Sequence, residues 1–317
     1  MDQPHALKID PRSSAHVKRS QAMDVVFTAA GVLVLLVVMA LLTTLVVDLF
    51  ADGMQRLNPD FFTNFPSRRA ARSGILSAWV GTSLVMLVTA VLAIPLGIGA
   101  GLYLEEYAPK NWLTDAIEIN VSNLAGVPSI IYGLLALGLF VYGLKLGETI
   151  LVAGMVLALL ILPIVIVATR EAVRSVPQGI RESAFGLGCN KWQTVWHYVL
   201  PSARPGIITG AIVGLSRAIG ETAPIITIGA LTFIAFLPPS PIQSEAPFVN
   251  FEWLDSPFTV MPIQMFNWIS RPQAEFHVNA AATGIVLFAM TILMNCVAIW
   301  IRSVSYTHLT LPTNREV

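Results

Sequence analysis

The stretch "ESAFGLGCNKWQTVWHYVLP", residues 182–201, interrupts a chain that is otherwise strongly apolar. Apolar runs flank it on both sides, Thr149–Thr169 before and Pro205–Phe236 after, and its surroundings carry Arg170, Arg174, Arg181, Lys191 and Arg204. A segment this polar does not lie in hydrocarbon, so two membrane helices are expected to hold it at the bilayer surface. Its own residues predict two short helices with a turn between them. Ala184 is small enough for close approach, and Gly188 permits a sharp exit from the first helix. Leu200–Pro201 is expected to stop the second helix before the next span. Trp192, Val195 and Trp196 offer an apolar face at near-helical spacing. An amphipathic connector lying on the membrane would share that pattern.

Composition agrees with a membrane protein. Of 317 residues, 55% are hydrophobic and 12% charged, against about 25% charged in soluble domains. Mean hydropathy is +0.70. The formal net charge is zero, which leaves nothing to attract nucleic acid. Cys189 and Cys296 fall in a loop and in an apolar run, so a disulfide between them is not expected, and no metal-ligand cluster accompanies either.

Crossing the hydrocarbon takes about 20 apolar residues. Six runs qualify: Val25–Val47, Ser73–Leu104, Ile119–Leu144, Thr149–Thr169, Pro205–Phe236 and Val278–Ile301. The first is too long for a signal-peptide core and reads as an uncleaved anchor. Lys8, Arg12, Lys18 and Arg19 precede it and place the N-terminus in the cytoplasm. Alternation then puts residues 171–204 inside and residues 237–277 outside. The cluster "SRRAAR", with Arg68, Arg69 and Arg72, runs against the charge rule on the outer side. Pro95, Pro128, Pro163 and Pro224 are expected to kink or interrupt their spans. After Arg302 the polar "SVSYTHLTLPTNREV" resembles a cloning scar, so residues 303–317 are expected to stand outside the fold.

Within the loop, Glu182, Ser183, Ala184, Gly188, Leu200 and Pro201 match the spacing of the EAA motif, with Ser183 and Tyr198 departing from the usual alanine and isoleucine. The chain thus resembles the permeases of ABC importers. "NLAGVPSIIYGLL" (123–135), "LPIVIVATREAVRSVP" (162–177), "SRAIGETAPIITIGAL" (216–231) and "FTVMPIQMFNWISRPQAEFH" (258–277) are similar to the PstA-type permeases of phosphate importers. The resemblance runs from about residue 24 to residue 302.

It implies an all-α integral membrane protein of the type I importer permease (MetI-like) fold, in a bacterial inner membrane. It implies a pore shared with a PstC-like permease, an ATPase dimer (PstB-like) docked on the EAA loop, and a periplasmic phosphate-binding protein (PstS-like) above. No G-x-x-x-x-G-K-[ST] stretch is present, so ATP and magnesium would be used by the partner ATPase and not by this chain. The chain by itself is not expected to be an enzyme.

Arg217 and Glu221 stand inside an apolar run, where an isolated charge costs from about 3 to more than 10 kcal/mol. At i and i+4 they would share one helical face, with Pro224 loosening the turn that holds them. Two roles are open. In one, Arg217 faces the pathway and meets phosphate with its planar donor fork, while Glu221 positions it and moderates anion binding. In the other, the two form a structural ion pair. Asn295 reads as an interhelical hydrogen-bond donor. Phe248, Phe251, Trp253, Phe258, Phe266 and Trp268 read as interface anchors in the outer segment, where the resemblance adds contact with the binding protein. Permeases for molybdate or sulfate would need a similar charge pair. An ion-coupled secondary transporter would show an internal repeat, which is not apparent. A membrane sensor or scaffold would assemble with such partners without moving substrate.

Overall fold

The computed structural model describes residues 11–231, 233–243 and 248–307, with the side chains of 11–19 and 304–307 left aside. In chain order the helices are α1 (Pro11–Gly53), α2 (Pro59–Thr63), α3 (Leu76–Leu102), α4 (Trp112–Leu124), α5 (Ser129–Ala136) and α6 (Ile150–Arg174). They continue with α7 (Gln178–Gly186), α8 (Lys191–Thr194), α9 (Leu200–Gly220), α10 (Ala223–Thr227), α11 (Met261–Ile269) and α12 (Ala274–Thr307). Among the described residues, β-pairing is confined to isolated bridges, Thr149 with Pro257 and Ile242 with Val249. The fold is all-α, as composition and hydropathy predict.

Met1–Asp52 forms a unit of its own. Within it, α1 is apolar on every side from Val25 to Val47, a pattern that calls for lipid or a partner all round. The second unit begins at Gly53, and α6 is its axis. Some 67% of the most apolar window of α6 is buried, against 33% for α3. α3 and α9 flank it at close range. A Cβ added at Gly154 would overlap Val88, and one at Gly210 would overlap the methyl of Ala168, so small residues set the helix spacing. Thr89 reinforces the first contact by donating to the Gly154 carbonyl at 3.3 Å. A second core gathers Phe61, Ile75, Met261, Trp268 and Phe276 beneath the loops at the opposite end from α7.

Two expected spans are broken. Residues 119–144 are not one helix: α4 and α5 meet at 105° across Ala125–Pro128, where Pro128 caps α5 and cannot continue α4. The run 205–236 stops being helical at Gly220, and Glu221 is extended at φ −77°, ψ 117°. Uniform hydropathy hides both breaks, because an irregular backbone packed within protein need not be polar in side chain. Pro224 opens α10, whereas Pro95 and Pro163 lie inside helices that run through them. Pro163 therefore does not interrupt its span. The last helix continues through residues 303–307; residues 308–317, the rest of the expected tail, lie outside the described residues.

Candidate functional site

The loop between α6 and α9 is built from two caps. α7 ends in a Schellman arrangement: Gly188 adopts φ +84°, its N–H donates to Phe185 at 2.9 Å, and the Cys189 N–H donates to Ala184 at 3.1 Å. α8 then starts with a capping box, Asn190 and Gln193 each receiving the other's backbone N–H at 2.9 Å. The expected stop at Leu200–Pro201 is absent. Residues Val195–Val199 form a π-helical turn that widens the backbone just ahead of Pro201. In that turn the Leu200 N–H bonds the Val195 carbonyl, five residues back, and the helix passes Pro201 into α9. The second helix is thus not short but the beginning of a span running Lys191–Gly220.

Burial divides the loop into two faces. Ala184 and Val195 are each 1% exposed, while Leu187, Trp192 and Trp196 project outward. The two tryptophan rings stack 5.5 Å apart. Val195 is therefore an anchor to the bundle and not part of the outer apolar face, a correction to the expected trio. Glu182, Ser183 and Gly188 are exposed, and Leu200 and Pro201 are half-buried. Cys189 and Cys296 are both free thiols.

An ion-pair cluster lies behind the loop. Arg181 donates twice to Glu106, at 3.1 and 2.7 Å, and also to the Val176 carbonyl at 2.7 Å and the Val173 carbonyl at 3.0 Å. Arg174 grips both oxygens of Glu105 at 3.1 and 2.9 Å. Arg170 reaches Glu118 on α4 at 2.6 Å and Glu105 at 3.5 Å. Charge counting identifies these arginines only as an inner-side basic loop. The signal for their partners is "LEEY", residues 104–107, an acidic pair placed by alternation at the same membrane face. A π turn at Tyr103–Tyr107 rotates the adjacent carboxylates toward different arginines.

Arg217 and Glu221 do meet, Nε to Oε1 at 3.3 Å, with side chains 39% and 19% exposed. They do so across a helix end and not along one face. Arg217 lies in the last turn of α9, where carbonyls without intrahelical partners favour a cation. Glu221 turns inward beside Thr82, Met86 and Ile225. Around them the two broken elements pack together. Gly133 on α5 abuts Pro224 and Thr227 on α10, and the Tyr132 hydroxyl spans the other break to the Leu124 carbonyl at 2.8 Å. Ser216 donates to Asn295, so Asn295 is an interhelical acceptor in this contact and not the expected donor. Of the outer aromatics, Phe248, Phe251 and Phe266 are exposed, whereas Trp253, Phe258 and Trp268 are core residues. Trp268, packed 6.2 Å from the Phe61 ring, cannot anchor at a lipid interface.

Residues 93–307 match the family model described as binding-protein-dependent transport system inner membrane component. The chain is 31% identical to the probable ABC transporter permease protein YqgI of Bacillus subtilis, covering 86% of this chain and 93% of that one. It is 29% identical to the phosphate transport system permease protein PstA 1 of Mycobacterium tuberculosis, over 75% of this chain and 73% of the relative. It is also 29% identical to PstC of Mesorhizobium japonicum, over 90% and 91% respectively. Among solved structures, a bacterial alginate ABC transporter in complex with a periplasmic protein superposes with TM-score 0.60 at 13% identity, covering 88% of this chain and 94% of that chain. An inward-facing MetNI methionine ABC transporter gives TM-score 0.55 at 16% identity, over 73% and 95%. A fold shared at such low identity by transporters of an amino acid and of a polysaccharide specifies architecture and not substrate. The chain belongs to the binding-protein-dependent transport system inner membrane component family, the membrane-embedded permeases of ABC transporters.

Proposed function

We propose that this chain is the PstA-like permease subunit of an ATP-driven inorganic phosphate importer in the inner membrane. The observation that carries the substrate is the set of phosphate permeases among its relatives, matched over most of the chain. The geometry supports it through Arg217, a partly exposed guanidinium at a helix break, whose fork suits a tetrahedral oxyanion. A PstC-like permease would complete the pathway, and a PstS-like protein would deliver phosphate on the outer side. The N-terminus would lie in the cytoplasm.

Coupling would come through the loop built on Glu182, Ser183, Ala184, Gly188, Leu200 and Pro201. Its outer face, with Trp192 stacked on Trp196, is an apolar surface of the kind that a PstB-like ATPase dimer could cover. That dimer would bind and hydrolyse ATP with magnesium.

The test is uptake of labelled phosphate by liposomes containing the full complex, with ATP inside and binding protein outside. Uptake that excess sulfate and molybdate do not compete, lost in Arg217→Gln with assembly intact, is the expected result. ATP-driven uptake of another oxyanion alone would overturn the substrate. Assembly without any transport would favour a sensing or scaffolding role.

A further inference from the structure

α4 is held loosely in its unit. It has no buried residue, and it turns away from α5 by 105°. Among the described residues, three polar side-chain contacts tie its body to the rest of the chain: Glu118 with Arg170, the Leu124 carbonyl with the Tyr132 hydroxyl, and the Thr114 hydroxyl with the Pro109 carbonyl of the short linker before it. The second lies at the hinge itself and the third is local to the linker, so Glu118 is the side chain that ties the body of α4 to α6.

Arg170 is not an isolated partner. Its side chain is 8% exposed, and it touches Glu105, which Arg174 holds with two bonds. The adjacent Glu106 is bound by Arg181 of α7. Arg181 also donates to the carbonyls of Val173 and Val176 at the end of α6. α7 therefore cannot shift without straining either the last turn of α6 or the Glu106 contact. From Glu106 the path to Glu118 passes through neighbouring or ion-paired groups throughout. Glu106 and Arg181 are 11% and 13% exposed, so little water is present to screen a displaced charge. Burial of paired charges is weak evidence for stability, and such pairs are better suited to fixing one geometry.

We propose that the Arg181–Glu106, Glu105–Arg174/Arg170 and Arg170–Glu118 contacts form the link by which a displacement of α7 reaches α4, making α4 a hinged arm that moves with the loop. Glu118 and Arg181 are then positioning residues of the transport cycle. This rests on the reading that α7 docks an ATPase. The two electrostatic ends lie on different elements, and Glu118 is far in sequence from the docking loop, so its replacement need not disturb docking.

The experiment uses the full reconstituted complex with Ile117→Cys on α4, exposed at 44%, after Cys189 and Cys296 are changed to serine. A water-soluble maleimide reports labelling of that position with and without ATP. ATP is expected to change the labelling rate severalfold in the otherwise native chain. Glu118→Gln should abolish that change and lower phosphate moved per ATP roughly five- to tenfold, while assembly and ATP hydrolysis persist. The charge-exchanged pair Glu106→Arg with Arg181→Glu should regain part of what Arg181→Glu alone loses.

An unchanged labelling response in Glu118→Gln, or no response to ATP in a native complex that retains and runs its ATPase, overturns the link, whereas a native complex that does not retain the ATPase overturns the docking reading instead. If the Arg181 variants fail to assemble, Glu118→Gln still decides. Absence of phosphate uptake by the native complex counts against the proposed substrate alone, because the labelling response does not depend on what is transported.

Discussion

Gly133 packs against Pro224 with no room for a methyl group between them. Through this contact α5, which follows one break, lies on α10, which follows the other. The charged pair at the end of α9 is thereby held between two breaks whose positions depend on each other.

Gly133→Ala is expected to destabilise the chain by about 1–3 kcal/mol, the usual range for an overpacked core site. The added carbon would meet the Thr227 hydroxyl first, yet the Pro224 Cα and carbonyl lie within 2.8 Å of it as well. Backbone cannot move aside as a side chain can. Thr227→Ala should therefore fail to rescue Gly133→Ala. Thermal unfolding of the three variants in detergent tests this, and full rescue would show that α10 can shift.

Gly188 presents the opposite situation. Nothing lies within 4 Å of a Cβ placed there, so a substitution meets no steric obstacle and only the φ of +84° resists it. Gly188→Ala should cost about 1–2 kcal/mol from the left-handed backbone, and Gly188→Asn less. Because the strain falls on the turn between α7 and α8, the expected phenotype is weaker co-purification of the ATPase with little change in global melting. Equal retention of the ATPase by all three proteins would contradict it.

Arg56 clips the end of the second unit at which α3 and α12 begin. Its guanidinium donates to Asn279 at 3.0 Å, to Ala71 at 2.7 Å and to Ser73 at 3.0 Å, joining the turn before α2, the segment before α3 and α12. Arg56→Ala should cost about 2–3 kcal/mol, since charge-assisted bonds to carbonyls are lost. Arg56→Lys should recover only part of this, one ammonium being unable to span the same acceptors. Arg72→Ala, at an exposed position, should stay within about 0.5 kcal/mol of the parent. Melting temperatures of the three variants provide the comparison.

These residues also show where sequence reading succeeds. Gly188 is legible because a glycine between two helical patterns implies a left-handed cap, and Ala184 because close approach needs a small side chain. Arg217 and Glu221 are legible as a pair because charges in an apolar run need partners. The helix end between them is not, since hydropathy averages over Gly220 and Glu221 and continues to Phe236. Leu200–Pro201 misleads for a related reason: a π insertion, which has no compositional signature, lets proline sit where an α-helix would end. Trp253 and Trp268 are misread because aromatic composition does not distinguish a lipid anchor from a core residue. Only the tertiary partner, Phe61 for Trp268, decides that. Glu105 and Glu106 could have been found by pairing opposite charges across loops assigned to one face.

Glu221 offers the sharpest test of the charged pair. In the proposed pathway its carboxylate competes with the substrate anion for Arg217, and at 3.3 Å the contact is loose enough to exchange. Glu221→Gln removes the competing charge while preserving size. Phosphate should then be retained longer by the complex and turnover should fall severalfold, because added ground-state binding raises the barrier to release. Filter retention of labelled phosphate, measured beside uptake, separates this from misfolding. A variant that assembles normally, retains no more phosphate and transports as the parent does would make the pair a structural clasp between α9 and the extended segment after it. The same substitution in an Arg217→Gln background should add nothing further, since the anion would no longer have a cation to meet.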